Sequence, residues 1–471
     1  MTTYTMPQPA LPQKPAADTA LLVASGDFRR TANIACWPAQ KALEDSIRAA
    51  VEAEGWTLTR AHSEHTSDAE PHGFIHSQAH GREVFAGIHP EAPLIVAEAV
   101  WQYSQQVLIG LQRHRGPLLI AANWSGQWPG LVGALNLRGS LAKAGVAHSI
   151  VWAEDFADPA ARAKLRQWLQ TGRVEHDLSH LAPLDGGVLP DRERSLGEAL
   201  AVQLRQRPAI LGVFDEGCMG MFNAIIPDHL LHAACAFKER LSQSALYAAM
   251  QRVPESEARA ALDWLTQQGM QFEYGPDPET DLTEAQVLEQ LQMYIAAARM
   301  ADLHECDAIG IQYQLGLMDT CAASDLAEGL LNCSQRPPVK ATHGPRSGAI
   351  IRDGRPIPHF NEVDECAGLD GLITDRVWRA MGLVPDNTLH DLRWGDPDRS
   401  GTTEQYVWVF EISGAVPPSH FEGGYKGATG KRQAMPYFLK GGSTISGVIL
   451  DEDARPDDLA GPADAADRKS V

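Results

Sequence analysis

The chain has 471 residues and carries 60 acidic against 40 basic side chains, a formal net charge of −20. That length is too great for one hydrophobic core and predicts two or three domains. The charge disfavours a nucleic-acid or anionic-membrane partner, which needs a basic stripe, and no apolar run approaches the roughly 18 residues that span a bilayer.

Residues 1–19 are rich in Pro and Ala, with no basic start and no apolar core. They predict a loose arm rather than a secretory signal. From 20 to 184 short apolar runs alternate with amphipathic stretches. Strands are expected at 21–24, 94–97, 118–122 and 149–152, and helices at 41–54, 130–144 and 159–170. That alternation predicts an α/β domain, a parallel Rossmann-like sheet flanked by helices. Residues 185–388 predict a second domain of the same class. It holds a helix at 196–204, a strand at 209–214, a long packed helix at 282–300, a strand at 308–312, a helix at 324–331 and a buried helix at 367–381. From 389 to 450 helices disappear, and strands at 405–412, 435–439 and 444–450 predict a β-rich antiparallel domain, apparently incomplete. Residues 451–471 are Asp-, Ala- and Pro-rich and predict disorder. Seven cysteines without a CxxC pair predict reduced thiols in a cytoplasmic setting.

Three segments carry candidate chemistry. Glu362 and Asp391 each lie in a short extended segment, on either side of the 367–381 helix. A strand–helix–strand unit would bring both carboxylates to one sheet edge, where they can hold a hard divalent cation and one can move a proton. Asn123 to Gly130 follows a strand and opens a helix; its glycines permit close ligand approach, and Trp124 and Trp128 either stack on a sugar face or seal a crevice. Asp215 and Glu216, beside Gly217 and Gly220, form either a substrate-binding turn or a tight structural one. His62, His65, His72, His76 and His80 fall within nineteen residues, but their spacing fits no zinc pattern. They predict a loop with one or two substrate-facing histidines.

These segments together resemble the L-fucose/L-arabinose isomerase family, fucose isomerase-like branch. The similarity runs from Gly26 to Leu450 through 123–130, Met219–Asp228, Gln312-Tyr313-Gln314, 324–333, the Glu362 and Asp391 segments and Phe421–Tyr425. The resemblance implies an aldose–ketose isomerase of two α/β domains and a β-rich C-terminal domain, acting on a monosaccharide as a homo-oligomer, hexamer or trimer. It implies Mn²⁺, or Mg²⁺, on Glu362 and Asp391, and Asn123, Trp124, Gln127, Glu216, Met219 and Gln312 as substrate-binding residues. The family's third metal ligand is a His in a longer C-terminal domain, and this chain stops short of it. Weak metal affinity and little activity are therefore expected, unless another group such as His420 completes the site. Leu315 and Gly316 stand where the family has Arg and Trp, so the sugar is not carried over. The alternative is a non-catalytic sugar-binding or oligomer-partner homologue that has lost the third ligand.

Overall fold

A computed structural model describes residues 11–64, 71–100, 103–125, 128–181, 190–217, 220–278, 280–388, 391–398, 406–411, 416–421, 423–432 and 443–446. Of 124, 125, 128, 129, 391–396, 406–411, 432 and 443–446 it describes the backbone alone. The protein is α/β, with two parallel sheets. Its chain divides into two compact units, Met1–Ala182 with Gly220–Asn223, and Pro183–Met219 with Ala224–Val471.

The first unit runs β1 (Thr19–Val23), α1 (Arg30–Ala53), β2 (Thr57–Arg60), α2 (Gln78–Ala86), β3 (Leu94–Glu98), α3 (Gln105–Leu111), β4 (Leu118–Ser125), β5 (Trp128–Pro129), α4 (Gly130–Lys143), β6 (Ser149–Ala153) and α5 (Pro159–Thr171). Strands β2, β1, β3, β4 and β6 are hydrogen-bonded in that order and all parallel. The central strands β3 and β4, the latter over 118–122, are buried on both faces, the signature of a sheet covered by crossover helices. Val23, Val96, Ile120 and Ala122 pack with Val107, Leu111, Ala134 and Leu137 of α3 and α4. Helix α1 starts earlier than its pattern predicts and contains Pro38, whose missing N–H and fixed φ mask the first turns in sequence.

The second unit runs α6 (Asp191–Gln206), β7 (Ala209–Phe214), α7 (Asp228–Ala233), β8 (Ala236–Leu241), α8 (Gln243–Met250), α9 (Glu255–Gln267), β9 (Gln271–Phe272), α10 (Glu284–Leu303), β10 (Ala308–Ile311), α11 (Asp325–Leu331), β11 (His359–Asn361) and α12 (Glu365–Met381). Its sheet has the order β11-β10-β7-β8, again all parallel. Ile309, Ile311 and Phe214 face α8 to α11, while Leu211, Val213 and Phe360 face α6, α7 and α12. The order reverses between β7 and β10, the point at which open parallel sheets usually place a ligand crevice beyond the carboxyl ends of the strands. Helix α12 is not the buried helix expected. It buries Glu365, Gly368, Leu372 and Asp375 on one face and exposes Ile373 and Met381.

Beyond α12 the described strands are β12 (Asp391–Pro397), β13 (Tyr406–Glu411), β14 (Thr429–Arg432) and β15 (Ser443–Ser446). Antiparallel pairs β12–β13 and β14–β15 form, and β14 also pairs in parallel with β9 of the second unit. The strand expected at 435–439, the end of that at 444–450, and residues 451–471 lie outside the described residues. Among the described residues no helix is long and apolar enough to cross a membrane.

Candidate functional site

The crevice of the second unit is built from three strand ends. After β7 comes Asp215, at φ 61°, with Glu216 and Gly217. Gln312, Tyr313 and Gln314 follow β10, and Glu362 (φ 51°) and Val363 (φ 59°) follow β11. Left-handed backbone is rare for residues other than Gly, and rarest for a β-branched one such as Val363. Such strain persists only where surrounding structure over-determines it, typically at functional sites.

Hydrogen bonds lock these ends together. The Gln312 backbone N–H donates to the Phe214 carbonyl at 3.3 Å, and its side-chain amide donates to the Glu362 carbonyl at 3.4 Å. Gln314 donates through Nε2 to Oε1 of Glu362, and both side chains are buried. Asp215 accepts from the Gln243 N–H at 3.2 Å, which fixes the turn after β7 to the start of α8. Gln312 is thus a scaffold of the crevice as well as a candidate binding residue.

Two carboxyls that the motif reading left without a role stand beside Glu362. Asp325 and Glu328 lie in the first turn of α11 and are 8% and 3% exposed. Ser324 Oγ donates to Glu328 Oε1, while Glu328 Oε2, Asp325 Oδ2 and Gln314 Oε1 are buried with no partner among the described residues. Burial pushes the Asp325 carboxyl up to about 7. Burial first, then the like charges of Asp325 and Glu362, push Glu328 well above the usual carboxylate range. A signal for them existed in Asp325-Leu-Ala-Glu328-Gly-Leu-Leu331, where two acids one helical turn apart sit in an otherwise apolar run.

Glu216 is exposed and belongs to an ionic cluster at the neighbouring strand. Lys238 Nζ lies 2.6 Å from Glu216 and 2.6 Å from the fully buried Glu365, whose carboxylate also accepts the Ile226 N–H at 2.6 Å. Burial opposes the charge on Lys238, yet its hydrogen bonds with Glu216 and Glu365 hold its pKa above the usual value. The cluster ties β8 to α12, a structural task that competes with substrate binding by Glu216.

Asp391 is placed differently from the expected strand–helix–strand unit. It opens β12, which pairs with β13 and, among the described residues, not with β11. An antiparallel ribbon after the helix replaces a fifth parallel strand. The Asp391 side chain and Met219 lie outside the described residues. His420 is engaged elsewhere: its Nε2 lies 3.0 Å from the Asp386 carbonyl, and the adjacent Ser419 bonds the Asp386 carboxylate at 2.6 Å.

In the first unit, β4 does not stop before Asn123. It continues to Ser125 and pairs antiparallel with β5, which leads directly into α4. A Cβ at Gly130 would lie 2.0 Å from the Asn123 carbonyl oxygen and 2.5 Å from that of Glu98. The helix–sheet contact itself therefore occupies the space that the glycine was expected to leave for a ligand. Asn123 is half-buried, with no partner for Oδ1 among the described residues. The Trp124 side chain and Gln127 lie outside the described residues. Rings of His62, His72, His76 and His80 form a chain with centroids 4.9–5.9 Å apart, while His65 lies outside the described residues.

The oxygen-rich donors around Glu362 are of the kind that suits a hard cation such as Mn²⁺ or Mg²⁺. Among the described residues no group of three or more His, Cys, Asp or Glu side chains is placed to hold a metal ion. Compared with known proteins, the chain matches no protein-family model and no curated sequence.

Proposed function

We propose that the chain is a metal-dependent aldose–ketose isomerase of the fucose/arabinose isomerase type, acting on a monosaccharide through an enediolate. The observation that carries this reading is the buried Gln314–Glu362 pair at the reversal point of a parallel sheet, with Asp325 and Glu328 alongside. The reading includes two Rossmann-like domains, a β-rich C-terminal domain, and a cytoplasmic homo-oligomer, hexamer or trimer.

Glu362 and Asp391 would hold Mn²⁺ or Mg²⁺, which when bound polarises the substrate oxygens at C1 and C2. A carboxylate of Glu362 or Asp391 takes the proton from C2 of the aldose, a proton passes from O2 to O1, and the carboxyl group, whose proton exchanges with water, delivers a proton to C1 to give the ketose. Gln314 holds the Glu362 carboxylate in one orientation throughout, which keeps the proton path short.

The test is metal content of the purified chain, then incubation in deuterated water with Mn²⁺ and a panel of aldoses and ketoses. The expected result is exchange of the C2 proton in at least one sugar. Glu362→Gln should lower that exchange about 10²- to 10⁴-fold without lowering the melting temperature, because it removes a charge from an acidic cluster. No bound metal and no exchange in the unmodified chain would end the isomerase reading and favour a non-catalytic sugar-binding or oligomer-partner protein.

A further inference from the structure

The amino edge of the second unit's sheet, opposite Glu362, opens on a cavity of about 810 Å³. Residues just before β7, β10 and β11 line it, together with the ends of α10 and α12 and the loop 342–356. Its wall carries seven arginines against five carboxylates, in a chain whose net charge is −20. Four of those carboxylates are already held: Asp302 by Arg346 at 2.9 Å, Glu305 by Arg207 at 3.9 Å, Asp307 by Arg376 at 3.2 Å and Asp375 by Arg379 at 2.6 Å. An arginine at the carboxyl end of a helix also offsets the helix dipole, which accounts for Arg379 of α12.

Arg352 and Arg355 have no such account. Arg352 donates to the carbonyls of Asp307, Pro356 and Cys306, and the neighbouring Arg336 donates to the Arg355 and Ile351 carbonyls and the Tyr294 hydroxyl. Arg355 is exposed. Among the described residues none of these three guanidiniums has a carboxylate within ion-pair distance. Burial pulls Arg352 down to about 10, Asp307 and Asp375 raise it, and Arg355 and Arg336 lower it further, so it is still cationic at neutral pH. Guanidiniums held together with no carboxylate in ion-pair contact, and only the exposed Asp353 unpaired beside them, can make an anion site, and guanidinium forks match phosphate oxygens in geometry. The volume lies in the range of pockets that enclose a nucleotide-sized molecule.

We propose that this cavity binds a small phosphorylated anion, a phosphate ester or nucleoside phosphate in chemical class, on its Arg352–Arg355 wall. The site is separate from the crevice at Glu362 and does not depend on the isomerase reading. It is tested by calorimetric titration of the full chain, without added metal and at constant ionic strength. The probes are inorganic phosphate, pyrophosphate and adenosine diphosphate, with citrate as a carboxylate control.

One saturable site for pyrophosphate or adenosine diphosphate is expected, tighter than for citrate. Arg355→Ala should weaken it roughly 10-fold, about the value of one charge-assisted hydrogen bond, and Arg355→Glu should abolish it. Arg173→Glu, a charge reversal at an exposed arginine of the first unit, should bind as the unmodified chain does. Absence of saturable binding, equal affinity for citrate, or unchanged affinity in both Arg355 variants would overturn the proposal.

Discussion

Glu98 closes β3 as a residue 1% exposed, both carboxyl oxygens with no partner among the described residues. Burial alone pushes its pKa well above the usual range, so the folded protein keeps the proton. The unfolded chain releases it above about pH 4.3. Stability therefore falls as pH rises, by about 1.4 kcal/mol per pH unit until the folded pKa is reached. Glu98→Gln preserves the shape and removes this dependence. The variant should gain melting temperature over the unmodified protein, and more at pH 8 than at pH 5, as read by thermal denaturation across pH. A gain that is constant with pH would mean that Glu98 is ionised in the fold. At this scale the strand end that carries Glu362 was legible from its short extended segment, seen as β11. Asp325 and Glu328 were hidden because their run reads equally well as a packed helix with two solvated charges.

Helix α4 shows how backbone proximity sets an element. A Cβ at Gly133 would lie 2.0 Å from the Val100 carbonyl oxygen and 3.1 Å from Glu98 Oε2. Alanine favours a helix interior by about 1 kcal/mol, but the contact leaves no room for it. Gly133→Ala should destabilise by about 1–3 kcal/mol, the cost of overpacking, measured as a lower urea midpoint at unchanged slope. Elements with strong periodicity were legible: β3, β4, β6, β7 and β10 lie where apolar runs predict strands, and α10 carries the expected packed face with a Thr283–Gln286 capping box. Strand β8 was not legible. Its Ala236-Phe-Lys-Glu-Arg-Leu241 sequence is mostly charged because it is an edge strand, and Lys238 is buried only through partners that the sequence does not announce. The parallel placement of Asp391 failed for a related reason: sheet membership depends on which strand edge is still open, and local pattern does not record that.

On the scale of the whole molecule, the first unit is discontinuous. It takes Gly220–Asn223 from chain that follows α6 and β7 of the second. Within that unit Lys143 lies 3.8 Å from the centroid of the Phe222 ring and donates to the Phe222 carbonyl at 2.6 Å, while Ser140 Oγ accepts the Asn223 N–H at 3.1 Å. Phe222→Ala should therefore cost about 1–2 kcal/mol. The loss should appear as faster amide exchange in β3, β4 and α4, with β7 and β10 unchanged. Equal acceleration in both units would show that the division is not a division of stability.

That borrowed segment also bears on biosynthesis. A ribosome that has delivered residue 182 has not yet delivered the four residues that finish the first unit. At about 5–20 residues per second, the 38 residues from 182 to 220 take about 2–8 s. During that interval Ser104, Ser140 and Lys143 wait without their later partners. Strand β7 emerges into the same interval, before any strand that can pair with it has been made. A nascent chain stalled between these points lacks both the last residues of its first unit and the partners of β7.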